Sequence, residues 1–524
     1  MRYLVMCLAM TAVLCGSAYA APVVVDAYYH ADVAFPQFDR YWKATSDVEG
    51  KAADGPLGGM LYVYVRNTTG KPWTMADAEM EGVSLTKAIA SSDQRKFRGW
   101  VYAASIYFSK LPEAQIGKVK QAGEPIWWRF VPKTLKPGEC GELVVRLRHK
   151  PADSSVRLCV VAKGGDRVAV SVPVKAAPRF QAICFTADRK TVYLYAQHPK
   201  PGVAPKHVTM DGVDITSGAT IASDAKTSVA PIVCKLKAPV ARASLHCFQA
   251  VYADGSKATS SVRAFDSEFA FGMWGGRPGD DSQVEIGRNY VHELAAHNIN
   301  LIGEMVGSGA VASFLKSDEG HALVKTLGIR RMIYEPGKGR TVNPWGYFLT
   351  DEPDAGDSRV QGVPPTAKVG CLCQGLSQRQ EELHAVDPMT PGLVNMDFTL
   401  RPHHWYIYGQ MPDILASDPY YQARLGQEAE YGKAPEKLDA FKKATYIEGV
   451  TTISRSSQAP KPVHLILLAA AGRDRKDGEG NIYVTPQEKR IETYYAIGAG
   501  ANGISYWWFY GLEKGLRQEH RIPS

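Results

Sequence analysis

A chain of 524 residues is too long for one hydrophobic core, so about two to four domains are expected. Hydrophobic residues at 45% and charged residues at 22% are ordinary for a globular protein. The net charge of +8 is spread over the whole length without a Lys/Arg block, which sets nucleic-acid binding aside.

The chain opens with Met1-Arg2, an apolar run from Leu4 to Leu14, and Gly16-Ser17-Ala18-Tyr19-Ala20. A short positive start, a hydrophobic middle and a small-x-small site read as a signal peptide over residues 1–20. Cleavage near Ala20 then gives a secreted or periplasmic protein. Cys15 follows Leu14, which is too large for a lipid-attachment site. The apolar run is too short to span a bilayer, and no later segment has about 18 uninterrupted apolar residues, so no membrane span is expected. No feature of the sequence sets an oligomeric state. The cysteines beyond the leader are Cys140, Cys159, Cys184, Cys234, Cys247, Cys371 and Cys373. Export permits disulfides, and Cys140–Cys159, or Cys184 with Cys234 or Cys247, are pairings that lie within one β domain, but free or partly paired thiols are the expected state. Cys371 and Cys373 are too close in sequence to bond each other. They also lack a second Cys or His pair at zinc spacing, so no metal is expected.

Residues 21–175 carry short β-type runs, among them Leu61-Tyr62-Val63-Tyr64-Val65 and Leu143-Val144-Val145-Arg146-Leu147. Turn signals separate them, notably Asn67-Thr68-Thr69-Gly70-Lys71-Pro72 and Lys136-Pro137-Gly138-Glu139. Residues 176–264 continue in the same way, with Thr191-Val192-Tyr193-Leu194-Tyr195 and Phe248-Gln249-Ala250-Val251-Tyr252. Both stretches predict β-sandwiches.

From residue 265 to 524 strands alternate with helices. Strands are predicted at Phe269–Trp274, Ile299–Ile302, Ile329–Tyr334, Gly346–Thr350, Gly392–Met396, Asp413–Ala416, Val463–Leu468 and Gly503–Trp508. Helical patterns cover Gln283–Ala296, Ala310–Thr326, Glu436–Thr445 and Pro486–Ile497. Eight short apolar strands separated mainly by helices predict a parallel (β/α)8 barrel. The link from third to fourth strand is short for a helix, and no clear last helix follows the eighth.

Barrel active sites lie at the C-terminal strand ends. Those ends read Trp274, Glu304, Glu335, Asp351-Glu352, Asp397, Asp418 with Tyr420 just beyond, and Trp507-Trp508. One rim acid is by default a solvated surface residue. Carboxylates on five successive ends beside tryptophans fit a pyranose, which needs a flat apolar face to stack on and acids to move protons. His403-His404-Trp405-Tyr406 follows the fifth strand, placing His404 to line the same pocket. Gly275-Gly276-Arg277-Pro278-Gly279 lacks phosphate-loop spacing, and no Gly-x-Ser-x-Gly elbow occurs. No cofactor is expected.

The stretch Trp345-Gly346-Tyr347-Phe348-Leu349-Thr350-Asp351-Glu352-Pro353 resembles the acid-bearing fourth strand of barrel glycoside hydrolases, the clan of cellulases and β-galactosidases, whose common form is Asn-Glu-Pro. The closing Gly503-Ile504-Ser505-Tyr506-Trp507-Trp508-Phe509 resembles the eighth strand of the same superfamily. The turns at Arg66–Pro72 and Pro137-Gly138-Glu139 resemble immunoglobulin-like modules found ahead of secreted glycosidase domains. The resemblance implies a secreted glycoside hydrolase with Glu352 as proton donor, Trp507 or Trp508 as sugar platform, and an oligo- or polysaccharide as substrate.

The chain departs from that clan at its seventh strand, where Leu465-Ile466-Leu467-Leu468-Ala469-Ala470-Ala471-Gly472 offers no acid before Asp474. Two schemes remain. Asp351 and Glu352 can act as an adjacent pair, as in β-N-acetylhexosaminidases whose substrate's acetamido oxygen is the nucleophile. Alternatively Glu352 takes its partner from Glu304, Glu335, Asp397, Asp418 or Asp474. The first scheme requires the backbone to bend at Asp351, because consecutive strand residues face opposite ways. The rival from another class is a non-catalytic carbohydrate-binding or adhesion protein on a degenerate barrel.

Overall fold

The computed structural model describes residues 21–31, 58–97, 100–222, 224–265, 268–274, 276–278, 284–303, 310–334, 344–357, 370–396, 407–418, 453, 461–468, 486–507 and 509–511. The first β unit places a four-stranded antiparallel sheet, in the order Val23–His30, Met60–Arg66, Cys140–Leu147, Pro125–Val131, over a second sheet. That second sheet runs Arg167–Pro173, Ser155–Ala162, Trp73–Met80, Val83–Ser84. Period-two alternation sends Leu61, Val63 and Val65 into the core between the sheets, against Trp73, Met75, Leu158 and Val160. The intervening residues Met60, Tyr62 and Tyr64 point the other way and are equally buried. The turn between Met60–Arg66 and Trp73–Met80 is tied by Asn67, whose amide donates to Lys71 O and Leu135 O, both at 2.9 Å.

A second pair of sheets follows. One runs Arg179–Phe185, Thr191–Gln197, Val229–Lys235, Ala219–Ile221, and the other Val213–Asp214, His207–Met210, Leu245–Val251, Lys257–Arg263. Phe180, Val192, Leu194, Ile232, Phe248 and Ala250 fill the space between them. The two β units are joined side to side. Tyr28 OH donates to Thr259 O at 2.9 Å, and Lys257 Nζ donates to Val25 O at 3.0 Å.

The C-terminal half is a closed barrel of eight parallel strands: Ala270–Trp274, Leu301–Gly303, Arg330–Ile333, Pro344–Asp351, Gly392–Met396, Ile414–Ser417, Val463–Leu468 and Gly503–Trp507. All eight fall where the sequence predicts them. Among the described residues helices occupy Val284–Ala296, Ala310–Lys316, Asp318–Thr326, Pro353–Asp357, Cys373–Val386 and Pro486–Gly498. The predicted helix Glu436–Thr445 and the third-to-fourth link lie outside the described residues. Cys373–Val386 is a helix the pattern analysis missed. No helix among the described residues is long and apolar enough to cross a membrane.

Trp274, Met332, Phe348, Leu393, Ile414, Ala416 and Ile466 pack the barrel interior. Near the strand starts His464, 1% exposed, bonds Ser505 Oγ through Nε2 at 2.8 Å. Burial pushes its imidazole down to about 3, so it sits neutral. Gly503 makes room for it, since a Cβ there would collide with the ring.

The barrel's underside rests on both β units around a cavity of about 460 Å³ lined by Arg129, Glu142, Arg263, His384, Asp413 and Lys461. Asp413, just before the sixth strand, pairs with His384 at 2.9 Å and Arg263 at 3.9 Å, and it accepts from Gly392 N at 2.9 Å. Lys461 donates to Gln410 O at 2.6 Å and to Pro412 O. Burial foremost pushes its ammonium down to about 7.

Candidate active site

The fourth strand would turn Asp351 outward if its alternation were regular, because Phe348 faces the interior. It is not regular. The pairing with the fifth strand runs Phe348↔Leu393, Thr350↔Val394, Asp351↔Asn395, with a register shift between Phe348 and Thr350. One extra residue on the fourth strand is a β-bulge, and it restores Asp351 to the inward face beside Asn395. Phe348 and Leu393 belong to the interior layer, whereas Leu349 and Val394 face outward into a separate cluster.

Glu352 then takes φ +45, a left-handed conformation that an ordinary L-residue adopts only at a cost of about 1–3 kcal/mol. Its N–H donates to Asn395 O at 2.7 Å, and its carbonyl accepts from Gly356 N at 3.0 Å, starting the helix Pro353–Asp357. Pro353 suits a first helical position, where no amide proton is needed. The bulge followed by the left-handed residue brings two consecutive carboxyl groups to the same end of the barrel.

Asp418 joins them from the end of the sixth strand. Oxygens of Asp351, Glu352 and Asp418 all lie within 4.8 Å of one another. Asp351 and Asp418 are buried, at 7% and 3% exposure, and Glu352 is half-buried. Asn395, 1% exposed, bridges the two aspartates: its Nδ2 donates to Asp351 Oδ1 at 2.9 Å and to Asp418 Oδ2 at 3.1 Å. Bonds to charged acceptors are the stronger kind, so this amide fixes both carboxylates. Asn395 is the site residue that sequence reasoning missed. Its signal was there to find, a single polar residue at an inward position of the otherwise apolar Gly392-Leu393-Val394-Asn395-Met396.

Three carboxylates at this spacing also have the composition of a hard-cation site. Asn395 bonds one oxygen of each aspartate, as an outer-shell donor does for ligating carboxylates, so the same geometry serves coordination as well as proton transfer.

The remaining predicted residues divide. Trp274, 1% exposed, lies edge-on to Phe348 with centroids 4.8 Å apart, so its ring fills the barrel interior. Trp507 is half-buried against the same interior layer, while its neighbour Tyr506 packs outward on Phe271. Glu304, Glu335, Asp397, His404, Tyr420, Asp474 and Trp508 lie outside the described residues.

No family model matches the chain, and no curated protein matches it in sequence. Among solved structures, a glycosyl hydrolase family 2 member from Bacteroides cellulosilyticus DSM 14838 is similar over 93% of this chain and 67% of its own, at 10% identity and TM-score 0.25. A second family 2 structure from Bacteroides cellulosilyticus gives 88% and 58% coverage, 9% identity and TM-score 0.24. Chitinase ChiW from Paenibacillus sp. str. FPU-7 gives 64% and 27%, 10% identity and TM-score 0.20. The chain thus spans 67% or less of each of these three proteins.

Proposed function

We propose that the protein is an exported glycoside hydrolase whose acid/base is Glu352 and whose reaction retains the anomeric configuration. The observation that carries this reading is the approach of the Asp351, Glu352 and Asp418 oxygens to within 4.8 Å at the C-terminal end of the barrel. Carboxylates this close resist simultaneous ionisation, so the group tends to keep a proton, and a general acid needs one. Glu352 is the most accessible of the three and is the one that hands the proton to the leaving oxygen. An oxygen of each carboxylate lies within 4.8 Å of the others, closer than the roughly 6.5–9.5 Å that leaves room for an inverting water and compatible with the roughly 5 Å of a retaining pair. Asp418 is then the nucleophile, attacking the anomeric carbon as the glycosidic bond breaks. Water later releases the sugar with Glu352 acting as base.

A second reading is favoured by the burial of both aspartates under Asn395. Clamped acids of this kind suit orienting a substrate's own 2-acetamido oxygen for attack, with Asp351 holding the group and no enzymatic nucleophile involved.

A panel of chromogenic glycosides with and without a 2-acetamido group tests both readings, with the product anomer read by proton NMR. Turnover with retention is the expected result, and confinement to acetamido sugars selects the second reading. Inversion excludes both mechanisms. No turnover of any member, with binding intact, marks the barrel as a carbohydrate-binding protein without chemistry.

Trp507 gives an independent check on the sugar-facing role. Trp507→Ala should weaken binding of a turned-over glycoside, or of its product sugar, by about 1–3 kcal/mol, while leaving the thermal midpoint nearly unchanged. A lower midpoint with unaltered affinity would make Trp507 a packing residue only.

A further inference from the structure

The seven described cysteines are all unpaired, and most sit apart from one another. Cys159 and Cys234 are buried in the two β units, while Cys184 is exposed. Cys371 donates to Asp357 Oδ1 at 3.2 Å behind the fourth strand. Cys140 and Cys247 are different. Cys140 begins a strand of the first β unit, Cys247 lies in a strand of the second, and both are buried in one hydrophobic cluster, at 8% and 2% exposure.

Two chains of contacts bring them together. Cys140 is the cross-strand partner of Arg66, and the Arg66 guanidinium packs so closely on Gly212 that a Cβ there would collide with it. Asp211, next to Gly212, holds Cys247 on both sides: its N–H donates to Cys247 O at 2.8 Å, and its Oδ1 accepts from Cys247 N at 2.8 Å. Both thiols are thus buried at this corner in one cluster, and Cys140 is the neighbour that acts most strongly on the Cys247 thiol.

We propose that Cys140 and Cys247 form a disulfide that staples the first β unit to the second. The inference rests on export, since only an oxidising compartment sustains such a bond. Each thiol gives up its proton and one electron as the Sγ–Sγ bond forms, and a small-molecule or protein disulfide takes up both electrons and is released as two thiols. The neighbouring Cys140 thiol, and then burial, push the Cys247 thiol well up, which suppresses the thiolate that exchange requires. The exchange therefore precedes closure of the interface, during folding. Once closed, the corner shields the bond from reductants.

The experiment is peptide mapping without reductant. Residues 21–524 are exported behind a leader already known to work, so the behaviour of the chain's own leader has no bearing on the outcome. Free thiols are alkylated under denaturing conditions before digestion. The expected result is a Cys140–Cys247 linked pair, lighter than the two reduced peptides by the mass of two hydrogens. Cys247→Ser should leave Cys140 alkylated, and Cys159→Ser should leave the linked pair unchanged. Alkylation of both cysteines in the exported wild-type chain, or linkage of either to another cysteine, overturns the proposal.

Discussion

Glu352→Gln should lower kcat on glycosides with poor leaving groups by about 10²–10⁴-fold, the usual weight of a positioned general acid. The substitution keeps the shape and removes only the proton. Activated aryl glycosides, whose leaving group departs without protonation, should lose much less. KM should change little, because the carboxamide still fills the same volume at the end of the fourth strand. Backbone geometry offers a second reason to choose glutamine. Glu352 holds φ +45, and a β-branched replacement would add steric strain to an already unfavourable conformation. An equal loss on good and poor leaving groups would assign Glu352 to substrate positioning and leave the acid to be found elsewhere.

Asp413→Asn should destabilise the protein by about 3–5 kcal/mol at neutral pH, because it strips a buried cationic cluster of its counter-charge. His384 and Arg263 both face Asp413, and Lys461 lines the same cavity with its ammonium turned to backbone carbonyls. Burial alone would push the Asp413 carboxyl up. The nearby His384, then Arg263 and the Gly392 N–H more than offset this and hold it well below the ordinary 3.8. A carboxyl depressed in the folded state stabilises above its unfolded value, and that contribution fades as pH falls through the folded value. Wild-type stability should therefore decline below about pH 4, and the Asn variant should show a smaller decline. Denaturant melts of both proteins at pH 7 and pH 3 measure the difference. Equal slopes against pH would show that Asp413 is not the group responsible.

The barrel was legible in the sequence because each strand is a short apolar run bounded by glycine, proline or polar residues, as in Gly392-Leu393-Val394-Asn395-Met396. The helix Cys373–Val386 was not, because Cys373-Gln374-Gly375-Leu376-Ser377-Gln378-Arg379-Gln380 carries no apolar stripe. Its buried face includes Gln374, Ser377 and Gln380. Gln374 bonds both the N–H and the carbonyl of Trp128, each at 3.1 Å, so the polar face is satisfied by the neighbouring strand's backbone. Only the tertiary structure supplies that partner.

The candidate site divides along the same line. Placing Asp351, Glu352 and Asp418 at strand ends followed from counting strands. Their meeting point did not, because it depends on a bulge after Phe348 and a left-handed residue before Pro353. Pro353 made a bend at Asp351 plausible, but nothing in the sequence marked the bulge. The cysteines, for which the sequence favours free or partly paired thiols, are all unpaired among the described residues.

The strand Met60–Arg66 has no solvent side: Leu61, Val63 and Val65 serve one core while Met60, Tyr62 and Tyr64 serve another. The second of those cores also contains Tyr347, Leu376, Tyr408 and Leu415 from the barrel half. Removing the barrel would thus strand a tyrosine-rich sheet face in water, at a cost set by its area. An amino-terminal fragment ending near residue 264 should self-associate instead of standing alone. Heat should melt the β units and the barrel together, in one transition rather than as separate beads on a string.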